Sequence, residues 1–433
     1  MSRGRCGILA LLVSLAAALA GAAEPSPAVT REIRAGNLAE AGQWLLPSIR
    51  RWVERGDFVL RVGELRYAPR WDEEFLKAST ANQGRYAIDA ELNVVDARSG
   101  ARPDFVFGLP FPAIDPSDPD AGVKVMWNRW YTVYKRTQVR VPSHIHVLGR
   151  EGLVRDVEAL TTTVAYSGRE GEPLANPEQT EYREIVLQTS PSYVEGVATL
   201  TWRFRDERWD SLWVYVPLAR RVRQATSANR SDALAGTDVT LDDALVWAGK
   251  NQSFTWKLVG SQDVLVPTMS LDPQPLHAGR RWQNGTEWMT GADYQGVLWG
   301  YQVPGWTGAP WAPTNAYWVK RPVWVVEGRP RDRYYSYGRQ LFYVDRDTFQ
   351  AYAKVIDTPA GEYWKTVLVD LGMSCAPDNQ RCYPVVAMSL FVDDKNDRAT
   401  ATSVAGPGSV VYVNTPRVRA EQFTLQGLLK QGK

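Results

Sequence analysis

The sequence predicts a mainly β protein, built from short antiparallel strands with a few short helices. Three observations point there. From Phe58 onward the dominant hydrophobic period is two, in runs rich in Val, Thr, Tyr and Trp. The connections Asp345-Arg346-Asp347 and Asp393-Asp394-Lys395-Asn396-Asp397 are tight and polar, the kind that joins adjacent antiparallel strands. Nothing alternates strand with long helix at the pace of a βαβ unit, which disfavours a doubly wound nucleotide-binding fold.

Along the chain, residues 1–22 read as a secretory signal: Arg3 and Arg5 form a basic start, Gly7 to Leu19 an apolar stretch and Ala20-Gly21-Ala22 a cleavage site. Cys6 precedes the apolar stretch, so no lipoprotein anchor is predicted. Residues 23–57 form an N-terminal helical segment, with Leu38, Ala41, Leu45, Ile49, Trp52 and Val53 on one stripe and an interruption at Pro47. Residues 58–433 then form a single β-rich domain. Its strands are expected over Phe58–Gly63, Gly196–Arg205, Asp210–Val216, Ser253–Val259, Pro322–Glu327, Gln340–Val344, Thr348–Ile356, Tyr383–Val392 and Thr400–Val404. Thr240 is placed to cap a short helix that begins with Asp242 and Asp243. A second helix is expected over Arg419–Leu429.

Two long connections interrupt this pattern. Pro110–Gly122 is punctuated by proline, and its Asp115, Asp118 and Asp120 read as a solvated loop rather than a calcium site. At about residues 270–320 an insertion holds six of the 18 Trp together with seven Gly and five Pro, a composition that suits a lid or docking flap as well as an irregular segment packed on the sheet.

Composition excludes several functions. At 433 residues, 44% hydrophobic and 23% charged, the chain is far from the disordered range. It carries 50 basic and 48 acidic residues, and loss of Arg3 and Arg5 with the signal would leave the two signs equal, so nucleic acid is an unlikely partner. Cys375 and Cys382 are expected to form a disulfide in an oxidising compartment. Signatures of nucleophilic, zinc-protease and phosphate-binding sites are missing, so no enzyme and no cofactor are predicted. His144 and His146 would face one way on a strand, but with no third His or nearby Cys they read as an ordinary strand pair and no metal is predicted.

The most patterned stretch, YVPLARRVRQ through SANRSDALAGTDVTLDD, is followed by FTWKLVG, VWVVEG and FYVDRDTF. Together with LLPSIRRWVERGDFVL, LPFPAIDPSDPDAG and VMWNRWYTVY it resembles a LolA-like family of exported Gram-negative proteins, related to outer-membrane lipoprotein-sorting proteins. The resemblance spans almost the whole chain after the signal. It implies a curved antiparallel sheet in the form of an incomplete β-barrel, LolA/LolB-like, closed by helices around an apolar cavity. It also implies a periplasmic location, a lipid or other hydrophobic ligand, and possible links to an RND-type inner-membrane transporter and an outer-membrane protein.

Alternating strand faces supply candidate ligand contacts in Trp202, Trp213, Tyr215, Trp256, Trp324 and Tyr343. Arg220, Arg221, Arg223, Arg230, Asp232 and Asp238 read either as a salt-bridged structural corner or as a basic rim for an anionic head group. A binding or carrier protein is the leading reading; a periplasmic enzyme acting on lipid or glycan and a docking module for a transporter stand as alternatives.

Overall fold

The computed structural model describes residues 31–431 apart from 134–136, 170–171, 226–229, 235, 292–295, 379 and 405–408. The expected signal at 1–22 lies outside the described residues.

Strands at the expected places, together with others that the period-two pattern misses over Gln138–Gly149, Gly152–Ala165, Thr180–Ser190, Arg221–Ala225 and Tyr363–Cys375, assemble into one open antiparallel sheet. The first half comprises β1 (Gln138–Gly149), β2 (Gly152–Ala165), β3 (Thr180–Ser190), β4 (Ala198–Phe204), β5 (Ser211–Val216) and β6 (Arg221–Ala225). The second comprises β7 (Phe254–Thr268), β8 (Tyr317–Pro330), β9 (Gln340–Asp345), β10 (Ala351–Asp357), β11 (Tyr363–Cys375), β12 (Cys382–Asp393) and β13 (Arg398–Val404). Each strand pairs with its chain neighbour within a half, and β13 pairs with β1, so the spatial order runs β6 to β1 and then β13 back to β7. Among the described residues β6 and β7 are unpaired on their outer sides, so the sheet does not close into a barrel. Register shifts interrupt seven of these ladders, and each adds local twist to the curved sheet.

The second half of the sheet is covered on both faces, which follows from strands such as β8 that are apolar at consecutive positions. Val323, Val325, Leu368 and Leu390 face one way, into a core completed by residues 33–60 and by Trp299, Trp311 and Trp318. Their neighbours Trp324, Val326, Val367, Val369 and Phe391 face the other, beneath Trp71 and Phe75, Val125 and Met126, and Val246, Trp247 and Phe254. Among the described residues three α-helices contribute to these covers, α1 (Pro47–Glu54), α2 (Glu73–Ala81) and α3 (Ala121–Val133), while α4 (Leu425–Gln431) packs on the first half of the sheet.

The predicted N-terminal stripe is buried in full, with Ile49 and Val53 at 0% exposure. Pro47, however, opens α1 at its first turn instead of interrupting a helix, a position where its missing N–H costs nothing. The C-terminal helix forms as α4, preceded by a single turn at Ala420–Gln422. One expectation needs correction. Thr240 caps no α-helix: only a short turn at Ala244–Val246 follows it, because Asp242 and Asp243 turn inward to buried cations. Of the two readings left open for the Trp-rich insertion, its described residues fit the one packed on the sheet. Part of it is strand, at His277–Trp282 and Gly285–Thr290, and Trp299, Trp311 and Trp318 are at most 1% exposed.

Candidate functional site

Helix α3 lies between two apolar clusters, one on the sheet and one on its outer side. It starts where Asp118 and Asp120 end the proline-rich connection, and the acids suit the positive end of the helix. Lys124 pairs with Asp118 and is the one described α3 residue that is not buried. Val125 and Met126 pack on the sheet while Val123, Trp127, Trp130 and Tyr131 pack the opposite way, against Tyr86, Val106, Phe111 and Tyr182. Gly122 lets α3 touch the sheet edge: a Cβ there would stand 2.8 Å from the Leu258 backbone nitrogen of β7. Buried polar groups pin the helix. Asn128 donates to the Phe111 carbonyl at 2.7 Å and accepts from its N–H at 3.0 Å, Trp127 donates to the Leu92 carbonyl at 2.8 Å, and Arg129 donates to the Leu245 carbonyl.

Beside α3 opens a cleft of about 120 Å³ with Val94, Trp127 and Tyr131 on its apolar side and Arg102, Arg205, Asp104, Glu181 and Asp206 on its polar side. Its deeper end reaches Trp130, Arg203 and Lys250. Lys250 donates to the carbonyls of Phe204 at 3.3 Å, Asp206 and Arg208 at 2.6 Å, three acceptors for the three protons of an ammonium. Burial and the nearby Arg203 pull its pKa down to about 8, so the group is charged at neutral pH. Burial also pushes the Tyr131 hydroxyl far above its ordinary value and keeps it protonated.

Behind the cleft runs a buried ionic network that fixes the 230–251 segment. Arg230 donates to Asp242, to Asp210 at 2.5 Å and to the Ala248 carbonyl at 3.0 Å, while Arg203 reaches Asp210 at 3.0 Å. Lys354 of β10 meets Asp243 at 2.7 Å, with both side chains at most 1% exposed, and Tyr337 donates to the same carboxylate at 2.9 Å. Burial raises the Asp210 and Asp243 pKa values, but the facing cations outweigh it and both carboxyls end below their ordinary range.

A family of proteins of unknown function, DUF1329, matches residues 32–429. This chain belongs to the DUF1329 family. Similar solved structures include a domain described as an outer membrane lipoprotein-sorting protein from Vibrio parahaemolyticus, at 12% identity and TM-score 0.49, covering 72% of this chain and 100% of that one. A DUF1329 family protein from Desulfovibrio piger is similar at 11% identity and TM-score 0.45, covering 72% and 100%. A LolA superfamily protein from Nitrosomonas europaea is similar at 12% identity and TM-score 0.38, covering 69% and 96%. No curated protein sequence matches.

In this DUF1329 chain the six aromatic candidates do not converge. Trp202, Trp213 and Tyr215 pack with α4, and Trp202 donates to the Phe423 carbonyl at 2.9 Å. Trp256 and Trp324 lie in the layer beneath α2 and α3, and Tyr343 faces the opposite side of the sheet. The charged candidates also separate. Arg230 and Asp238 are buried, Asp238 accepting from Thr400 at 3.0 Å and pairing with Arg398 at 2.8 Å. Burial outweighs Arg398 and raises the Asp238 carboxyl above its ordinary value. Asp232 is exposed beside Ser336, and Arg220, Arg221 and Arg223 stand exposed on and before the edge strand β6. Cys375 and Cys382 are bonded and face each other across β11 and β12.

The cleft residues Arg102, Trp127, Tyr131, Arg205 and Lys250 are the ones sequence reasoning missed. The available signal was the aromatic spacing of Trp127, Trp130 and Tyr131, three and four residues apart on one helix face.

Proposed function

We propose that this protein is a periplasmic carrier for an amphiphile with an apolar chain and a polar head. The observation that carries the reading is the two-sided lining of the cleft beside α3, aromatic at Trp127 and Tyr131 and charged opposite, where Arg102 and Arg205 stand with Asp104, Glu181 and Asp206. Size dictates how it would load. Ligand sites typically span about 300–1,000 Å³, and the cleft holds about 120 Å³, so a lipid chain enters only as α3 moves off the sheet. Burying a sixteen-carbon chain is worth on the order of 0.8 kcal/mol per CH₂, about 12 kcal/mol in all, which works against the loss of the contacts α3 gives up. The lipid would be exchanged between an RND-type inner-membrane transporter and an outer-membrane protein. The exposed turn after β5 supplies a docking surface for them, with Leu218 at 97% exposure beside Arg220, Arg221 and Arg223.

Native mass spectrometry of gently purified protein tests the carrier, with a co-purifying lipid expected. A fluorescent fatty acid should bind, and Arg102→Ala with Arg205→Ala should weaken it about tenfold through loss of charge-assisted contacts. An empty protein that also ignores the probe overturns the proposal. Reversing Arg220, Arg221 and Arg223 to Glu should abolish capture of the transporter while leaving probe binding unchanged.

A further inference from the structure

We infer a binding site for a divalent transition-metal ion of the zinc class on the β1–β2 hairpin, made by His144, His146 and Asp156. The register places these residues together. His146 stands opposite Asp156 and His144 opposite Glu158, so two imidazoles and two carboxylates form a square on one face of the sheet. His146 Nδ1 lies 3.2 Å from Asp156 Oδ1, and His144 Nε2 lies 3.5 Å from Glu158 Oε1. One ligand atom from each of His144, His146 and Asp156 falls within 4.8 Å of the others. In a tetrahedral site with bonds of about 2.0–2.1 Å the donors stand about 3.3 Å apart, so small side-chain rotations close the set.

The surroundings favour a built site over a solvated cluster. His146 is only 4% exposed, and the neighbouring strand sets the small residues Ala401 and Ser403 opposite His146 and His144. Tyr301 places its hydroxyl 3.4 Å from His146 Nδ1, and the Trp299 ring approaches His146 edge-on at 6.5 Å, so the Trp-rich segment roofs one side. Imidazole and carboxylate donors together suit zinc and its first-row neighbours rather than calcium or magnesium. Three protein ligands leave a fourth position for water or for Glu158. The histidines alone lack a third ligand in sequence; Asp156 supplies it from the next strand.

Equilibrium dialysis of the whole chain against Zn²⁺ tests this, with Co²⁺ absorption as a readout of tetrahedral His and carboxylate ligation. One equivalent should bind with a Kd below about 10 µM, and His144→Ala should weaken it at least about tenfold, as should Asp156→Asn. His144 is half-buried, so its truncation spares the fold even if His146→Ala does not. His277→Ala, at the remaining histidine, should change nothing. Absence of zinc binding by the parent chain overturns the site, and so does parent-like affinity in both His144→Ala and Asp156→Asn.

Discussion

The two faces of the second half of the sheet carry their charge differently. On the face covered by α1 and the Trp-rich segment, buried charge is held within the sheet itself, where Arg321 of β8 meets Asp345 of β9 at 2.9 Å, and the covering segment keeps its charges at the margin. Arg55 bridges Asp57 and Asp394 while its own side chain is 45% exposed. On the face covered by α3 and the 230–251 segment, charge is carried into the interior, where the Lys354 side chain is 0% and that of Asp243 1% exposed. Apolar contact is forgiving of small shifts, whereas a buried ion pair fixes one arrangement because either ion alone is intolerable. The second cover is thus docked in a defined position by anchors in the 230–251 segment and by the buried Arg129 of α3, so the movement of α3 that the carrier proposal requires must release the bond from Arg129 to the Leu245 carbonyl.

Breaking the contrast starts at Lys354→Met, which strands Asp243 in the interior and should cost about 3–5 kcal/mol in urea unfolding. The double variant Lys354→Met with Asp243→Asn should recover much of that loss. Trp318→Ala on the opposite face should cost a similar amount, about 3–5 kcal/mol, through the cavity it leaves, and no partner substitution will restore it by removing charge. Cys375→Ser should cost about 2.5 kcal/mol by the loop-entropy relation, checked by comparing melts with and without reductant. Gly122→Leu forces α3 away from Leu258, and overpacking of this kind costs about 1–3 kcal/mol; the same variant should bind the fluorescent fatty acid faster than the parent. Arg55→Ala, at the exposed margin of the face covered by α1, should cost no more than about 1 kcal/mol.

Asp370 sharpens the comparison because it is buried with one oxygen unpartnered among the described residues instead of being paired. Burial pushes its pKa up to about 8, against an ordinary value of 3.8, although the Met269 N–H and Thr268 lower it somewhat. The folded chain then holds a proton that the unfolded chain releases, so this group's contribution to stability is greatest at low pH. It falls as pH rises from about 4 to about 8 and levels off above. Asp370→Asn should flatten that slope in a pH series of unfolding curves.

Much of the fold was legible because its strands are short runs of β-branched and aromatic residues bounded by polar turns. Asp210–Val216 and Gln340–Val344 are such runs, and both form strands within a residue of the expected limits. Strands β2 and β3 escaped notice because Thr161-Thr162-Thr163 and Arg183-Glu184 replace the apolar alternation with Thr and paired charge. Helix α3 escaped for a different reason: it is enclosed on both sides, so it has no polar face to give a helical period. The cleft was the least legible part. Its walls come from segments near residues 93, 102, 127, 181, 205 and 250, and no single stretch carries a motif for it.

The pairing of β1 with β13 sets the order in which the protein can be completed. As the chain emerges from its N-terminal end, strands β1 to β6 can form a meander early, but the outer edge of β1 then faces solvent until Arg398–Val404 arrives. The seam between the halves is therefore the last to be sewn, and it spans most of the chain, a topology that folds slowly. Translation delivers that strand late, so the newborn protein carries a sticky edge for most of its assembly, and a chain shortened before residue 398 would never lose it.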